Sequence, residues 1–401
     1  MNHRESFDGA DLRIALISDM HAYDRLEDKE FKPSFLKVGD PEDGTGTNPV
    51  ADLKALVKKE NLQVHLVLCM GDLCDKARPI GLQYAWQKLQ ELKDLMHAQT
   101  LLATSGNHDC DSRHKYNDHD AKGCLQALQP NYPIFDEQLS DRYWSRNFLV
   151  LERPECRIIS LNSSAYHGFE PEEIEHGRIS ASTLDRLRLI LDSAPSQLIN
   201  ILICHHPPHP HSELGLGEND LMKSGQILLD LLGSGRYGKW LVVHGHKHHP
   251  KMTYAQGVGT APVVLASGSL SACLYPELGT RVRNQFHVVT INFEECRKFG
   301  FVGRIHTWEW AASAGWTDAQ RGGGLPSRCG FGYKTDPVQL AKRVASAVKR
   351  KRVAWDAIRT QLPELDFIMP EEYEIVRREL KSSHNLGILE NGGVPYEIGR
   401  L

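Results

Sequence analysis

The chain has no C-x-x-C pair among its nine cysteines, and nine is an odd number. That pattern argues against a disulfide framework and for free, mostly buried thiols in a reducing compartment. An excess of either charge is also missing: 47 Lys and Arg stand against 51 Asp and Glu, a formal net charge of −4. Attraction to nucleic acid or to an anionic membrane must therefore come from a local patch. No apolar run approaches the ~20 residues that span a bilayer. The opening "MNHRESFDGADLRIALISDM" sets acids on both sides of a short apolar run, unlike the basic start and long apolar core of a signal peptide. These absences predict a cytoplasmic protein that does not engage membranes. There is no internal repeat and no low-complexity tract.

What is present is a succession of short apolar runs, "RIALIS" at 13–18, "VHLVLCM" at 64–70, "TLLATS" at 100–105, "RIISLN" at 157–162, "LINILIC" at 198–204 and "WLVVH" at 240–244. Segments with helical periodicity separate several of them, at 51–60, 81–97, 180–193 and 223–232. The alternation predicts an α/β protein whose central strands are buried on both faces. After residue 260 the strands "APVVLAS", "NQFHVVTIN" and "FVGRIHTWEW" follow with turn-rich connections, and are expected to build a second sheet packed on the first. The expected division is a catalytic domain over 1–310, a Gly/Ser-rich linker over 311–336 and a helical C-terminal extension over 337–401.

The run "LVLCMGDLCDKARP" at 66–79 carries an apolar strand straight into Asp72 and Asp75, with no lysine or arginine before Lys76. Either these acids cap the next helix or they hold something positively charged. Four other strand ends are equally polar: "SDMH" with Asp19 and His21, "GNHD" with Asn107 and His108, "CHHPP" with His205 and His206, and "HGHKHH" with His246 and His248. In open α/β sheets ligands bind beyond the carboxyl ends of strands, so the five clusters can converge. Asp19 and His21, like His246 and His248, stand two apart, a spacing that aims side chains to one side of an extended segment. Carboxylates, imidazoles and an amide oxygen suit Mn, Fe, Zn or similar ions. A carboxylate at Asp72 can bridge two of them.

The five blocks together resemble the calcineurin-like metallophosphoesterases, whose pattern runs D-x-H, G-D-x-x-D, G-N-H-[DE], H and G-H-x-H in that order. The resemblance spans roughly residues 11–306. It implies a four-layer α/β/β/α sandwich of two mixed sheets carrying two divalent or trivalent metal ions. Asp19, His21, Asp72 and His248 would hold the first ion, and Asp72, Asn107, His205 and His246 the second. His108 would act on the leaving-group oxygen as general acid, with Asp75 fixing its tautomer. A hydroxide bridging the two ions would be the nucleophile. The H-H-P-P form of the fourth block resembles the branch with class III cyclic-nucleotide and glycerophosphodiester phosphodiesterases. Protein serine/threonine phosphatases carry an arginine after the second block and another before the third; here Lys76 and Ser105 stand at those places.

These residues predict a phosphodiesterase acting on a nucleotide or another small phosphodiester. A DNA or RNA nuclease of the same superfamily, a phosphomonoesterase and a non-catalytic partner-binding scaffold are the alternatives. His206 is expected to line the substrate site, with Arg113, His114 and Lys115 of a specificity loop near the cleft as further contacts to the substrate phosphate. His209, His211 and His249 are expected to be incidental, with a loop over the site at 209–211 as the alternative, and Lys247 would point to solvent. The basic run Lys349-Arg350-Lys351-Arg352 reads as a solvated helix face or as a nucleic-acid patch. Trp355, Phe367, Ile368 and Tyr373 would pack the extension onto the catalytic domain or onto a second subunit in a homo-oligomer.

Overall fold

Strands that are apolar on both faces need a layer on each side, and that requirement builds the sandwich. The computed structural model describes residues 11–26, 31–42, 45–174, 176–210, 220–257 and 260–401. One side of its first large sheet is three parallel strands, β1 (Asp11–Ile17), β2 (Leu66–Cys69) and, at the edge, β3 (Thr100–Ala103). The second has six strands. It contains β4 (Phe148–Arg153), β5 (Cys156–Leu161), β7 (Ile199–Ile203), β9 (Trp240–His244), β10 (Lys251–Tyr254) and β11 (Val263–Ala266). Two short strands, β6 (Gly177–Arg178) and β8 (Met222–Lys223), pair with each other.

Alternate residues then sort by face. Ile14, Leu16, Leu66, Leu68 and Leu102 of the first sheet meet Ile158, Ile201, Ile203, Leu241 and Val243 of the second. From the opposite face of the first sheet, Ala15, Ile17, Val67 and Leu101 meet Val50 and Leu53 of the helix Pro49–Lys59 and Leu82, Trp86 and Leu89 of the helix Pro79–Leu95. Ile159, Leu202, Val242 and Val264 of the second sheet lie under the helices Ala181–Ser193 and Gly225–Leu232. Each fully buried Leu, Ile or Val stabilises the fold by roughly 1.5–3 kcal/mol relative to exposure. The four expected layers are therefore the observed ones.

Three sequence expectations need correction. The late strands do not make a sheet of their own. β12 (Asn284–Asn292) pairs antiparallel with β1 and carries β13 (Gly303–Ala311), so both extend the first sheet, while β11 joins the second. The stretch 311–336 is no linker: β14 (Gly315–Asp318) and β15 (Arg328–Phe331) both pair with β13 and complete a seven-stranded sheet. Its glycines disguise strands, and Trp316 and Phe331 are buried in the core.

The extension, finally, is not helical alone. Between and after the helices Pro337–Ala347, Trp355–Gln361 and Pro370–His384 lie β16 (Arg352–Ala354), β17 (Leu386–Asn391) and β18 (Val394–Arg400), paired in the order β16-β18-β17. Leu340, Val344, Trp355, Ile358, Val376, Leu380 and Ile398 form its own core. Phe367 leaves that module and enters the core between the large sheets, where Arg304 covers its ring at 4.5 Å and pairs with Asp366 at 2.9 Å. Among the described residues no helix is long and apolar enough to cross a membrane.

Candidate metal centre

The five polar blocks all follow the carboxyl ends of parallel strands: β1, β2 and β3 in one sheet, β7 and β9 in the other. Asp72 does not cap a helix, because the next one starts at Pro79 behind Arg78. Its backbone is instead part of a set of left-handed turns, at Asp19 (φ 52), His21 (φ 47), Asp72 (φ 52), His246 (φ 73) and His248 (φ 50). Non-glycine residues seldom adopt this conformation, and it concentrates at functional sites. The two-residue spacing of Asp19 with His21 and of His246 with His248 therefore works by another geometry than the extended one expected: both pairs lie past the strand ends. Gly71 (φ 90) and Gly106 permit the close crossing, since a Cβ on Gly106 would sit 2.0 Å from Asp72 Oδ1.

Two groups of donor atoms result. In the first, His21 Nε2 lies 2.9 Å from His248 Nε2, and Asp19 Oδ1 lies 3.3 Å from His248 Nε2 and 3.9 Å from His21 Nε2. In the second, Asn107 Oδ1 is 3.0 Å from both His205 Nε2 and His246 Nδ1, which are 3.2 Å apart. Asp72 Oδ2 stands between them, 3.6 Å from His21 Nε2 and 3.3 Å from His205 Nε2. For a cation with bonds of about 2.1 Å, neighbouring ligand atoms lie about 3.0–3.4 Å apart. The donors thus have the chemistry and close to the spacing of two cation sites sharing one carboxylate oxygen. All seven expected ligands are brought together.

Surrounding groups orient these donors. His205 Nδ1 donates to the Met70 carbonyl at 2.7 Å, which leaves Nε2 with its lone pair for a cation. Burial opposes a charge on His205, but the Asp72 carboxylate outweighs it and pushes the imidazole up to about 9. A cation binding there displaces that proton, so affinity rises with pH. The other oxygen of Asp72 accepts the His108 backbone N–H at 2.9 Å. His108 Nδ1 faces Asp75 Oδ1 at 3.2 Å, as a proton donor held in one tautomer would. Burial lowers the His108 imidazole, yet Asp72 and Asp75 together raise it above its usual range.

Sequence reasoning missed several supports. Asp109 is buried and accepts N–H groups from Leu73 (2.7 Å), Cys74 (3.2 Å) and Gly106 (2.9 Å), sewing the second block to the third. The serines of "SGSLSA" at 267–272 fasten the first block, with Ser269 Oγ donating to the Asp19 carbonyl at 2.8 Å and Ser271 Oγ to that of Met20. A polar run directly after a strand was the only signal for them. Lys247 is not solvated as expected: its side chain is nearly buried and pairs with Asp220. Arg113 is exposed to solvent. His209 hydrogen-bonds the Pro210 carbonyl, and His211 lies outside the described residues.

The loop around Arg113 is ordered by more than solvent. Asp111 accepts the N–H groups of Lys115, Tyr116 and Asn117, and both nitrogens of His114 face carbonyls, Asn117 at 3.1 Å and Gly168 at 3.0 Å. Both bonds form only with the imidazolium, and these carbonyls raise its pKa above 6.5. The tie is fully present below that ordinary value and is lost as pH rises through the higher folded one. Amide exchange at 111–122, corrected for intrinsic rates, is expected to speed up as pH rises past the ordinary histidine range, and to lose that pH response in His114→Phe.

A model of the family described as "Calcineurin-like phosphoesterase" matches residues 12–250. The chain belongs to that family. The match begins in β1 and ends two residues after His248, the last of the expected ligands; the closing strands and the C-terminal module lie beyond it. Among solved structures, this calcineurin-like phosphoesterase is similar to the purple acid phosphatase PPD1 of yellow lupin (Lupinus luteus) seeds, at 13% identity over 82% of this chain, with a TM-score of 0.45. It spans 55% of the lupin chain. PhoD aligns at 8% identity over 82% of this chain and 73% of its own, with a TM-score of 0.47. The NAD nucleotidase NadN of Haemophilus influenzae aligns at 12% over 77% and 60%, with a TM-score of 0.37. No curated protein matches the chain.

Proposed function

We propose that this phosphoesterase is a dinuclear phosphodiesterase acting on a nucleotide or another small phosphodiester. The observation that carries the reading is the single Asp72 Oδ2 within 3.6 Å of donors from both groups, with His108 and Asp75 beside it. Two cations held at these donors would supply charge for the phosphoryl oxygens and a water nucleophile at neutral pH. The chain does the rest. Asp75 accepts from His108 Nδ1, which directs the opposite nitrogen, Nε2, toward a leaving oxygen that needs a proton. At the two arginine positions of the protein serine/threonine phosphatases stand Lys76 and Ser105, and Ser105 turns its hydroxyl to Tyr143 at 2.9 Å, which speaks against a phosphoprotein substrate. The H-H-P-P form of the fourth block supports the diester.

One observation favours a nucleic-acid substrate as a second reading. The run at 349–352 lies on the turn into β16, not on a helix face. The Lys351 carbonyl accepts the Arg400 N–H at 3.1 Å. Exposed Lys349, Arg350, Lys351 and Arg400 therefore gather at one end of the C-terminal module.

The test is hydrolysis of a chromogenic phosphodiester beside its monoester, with manganese restored after chelation, and a DNA duplex and single-stranded RNA in parallel. Diester preference, dependent on the cation, is the expected result. Preference for the monoester overturns the reading. Cleavage of the polymers, weakened by Lys349→Glu with Arg350→Glu, favours the nuclease.

A further inference from the structure

Within the reading of the site as a phosphoesterase centre, we infer that His206 is a fixed hydrogen-bond donor to a phosphoryl oxygen of the substrate and is not a cation ligand. His206 follows the ligand His205, is fully buried, and has one ring nitrogen within 4.8 Å of the ligand nitrogens of His205 and His246. Proximity alone would make it an eighth ligand. Its tautomer rules that out.

The tautomer follows from Ser163. The Ser163 hydroxyl oxygen accepts the backbone N–H of His205 at 3.3 Å and that of His206 at 3.2 Å. Those two donors occupy both of its lone pairs. Its one proton is left for His206 Nδ1, 2.9 Å away. Nδ1 is therefore an acceptor, and in the neutral ring the proton sits on Nε2. A nitrogen that carries a proton offers no lone pair to a cation. Reversing the tautomer would aim Nδ1–H at an oxygen with no lone pair free.

His206 Nε2–H is thus a buried donor, and among the described residues it has no partner. A buried donor left unmade costs about 1–3 kcal/mol. An acceptor arriving with the substrate removes that cost, and an anionic oxygen drawn to the His205, His246 and Asn107 group is the acceptor this position can meet.

The ring is also immobilised, as a positioned donor requires. It stacks on His167 with centroids 5.5 Å apart and planes at 27°. His167 cannot turn away, because its Nε2 donates to the His176 carbonyl at 3.0 Å and its Nδ1 accepts from Ser112 Oγ at 3.2 Å. On another side Gly177 leaves no room: a Cβ there would lie 2.4 Å from that of His206.

The experiment compares wild type, His206→Phe and His206→Gln, each loaded with manganese, by metal content and by calorimetric titration with inorganic phosphate. The phenylalanine keeps the stack and removes the donor, and the glutamine restores an N–H. Unchanged metal content is expected in all three, with phosphate affinity falling roughly 10- to 100-fold in His206→Phe and staying within about threefold of wild type in His206→Gln. Loss of one metal equivalent in His206→Phe overturns the assignment in favour of a ligand. Phosphate affinity unchanged in that variant, or no phosphate binding by the metal-loaded wild type, overturns it outright. Neither readout requires turnover, so a wild type that hydrolyses no diester would refute the proposed activity without touching this result.

Discussion

Asp72→Asn is expected to lower kcat/KM by at least about 10³-fold, because the charge stabilisation that bound metal supplies is worth several kcal/mol and each 1.36 kcal/mol is tenfold in rate. The variant changes little else. An asparagine oxygen still accepts the His108 N–H that Asp72 Oδ1 now accepts at 2.9 Å, and the left-handed turn at φ 52 suits asparagine better than most residues. What disappears is the negative oxygen between the two donor groups. The consequence is specific: both metal equivalents fall together, whereas His21→Ala removes a donor from the first group alone. Metal analysis after dialysis distinguishes the two patterns. A thermal scan gives a second check, since a cation at 100 times its dissociation constant stabilises the wild type by about 2.7 kcal/mol, an increment the variant should lack. An Asp72→Asn protein that keeps both ions and full activity sinks the shared-carboxylate reading.

His108→Ala should behave in the opposite way, keeping both metals and losing chemistry selectively. General-acid catalysis contributes typically 10²–10⁴-fold, and only where the leaving oxygen needs the proton. Hydrolysis of an alkyl diester is therefore expected to slow by about 10²–10⁴-fold. A nitrophenyl diester, which departs as a stable phenolate, should be slowed far less. Asp75→Asn, which removes the negative charge 3.2 Å from His108 Nδ1, should show the same leaving-group dependence at about 10- to 100-fold. Equal slowing of both substrates would mean that His108 positions the phosphoryl group instead of protonating the leaving oxygen.

The candidate ligands were legible in the sequence because cation chemistry restricts the residue types, and packing alone seldom ends five apolar strands in Asp, Asn or His. Their geometry was not. An i, i+2 spacing assumes an extended chain, and Asp19, His21, His246 and His248 reach the site through left-handed turns. The four layers could be expected from two-faced apolar strands, but the sheet membership of β12 and β13 depends on pairing with β1 across more than 250 residues. β14 and β15 hid in glycine-rich sequence, and β16 is only three residues long after a basic run. His206 could be suspected from its neighbour, but its role depends on Ser163, 43 positions away. Partnerships over such separations leave no local pattern.

Neither donor group belongs to one sheet. The first takes Asp19, His21 and Asp72 from the ends of β1 and β2 and His248 from the end of β9; the second takes Asn107 and Asp72 from one sheet and His205 and His246 from the other. Each cation would thus act as a reversible cross-link at the open rim of the sandwich, joining segments that lie up to about 230 residues apart in the chain and shortening the loops of the unfolded state much as a covalent bridge does. In a chain with nine free thiols such a clasp would need no oxidation. Its closure would answer to metal supply and pH, so starvation for the ion would loosen the rim of the molecule together with its chemistry.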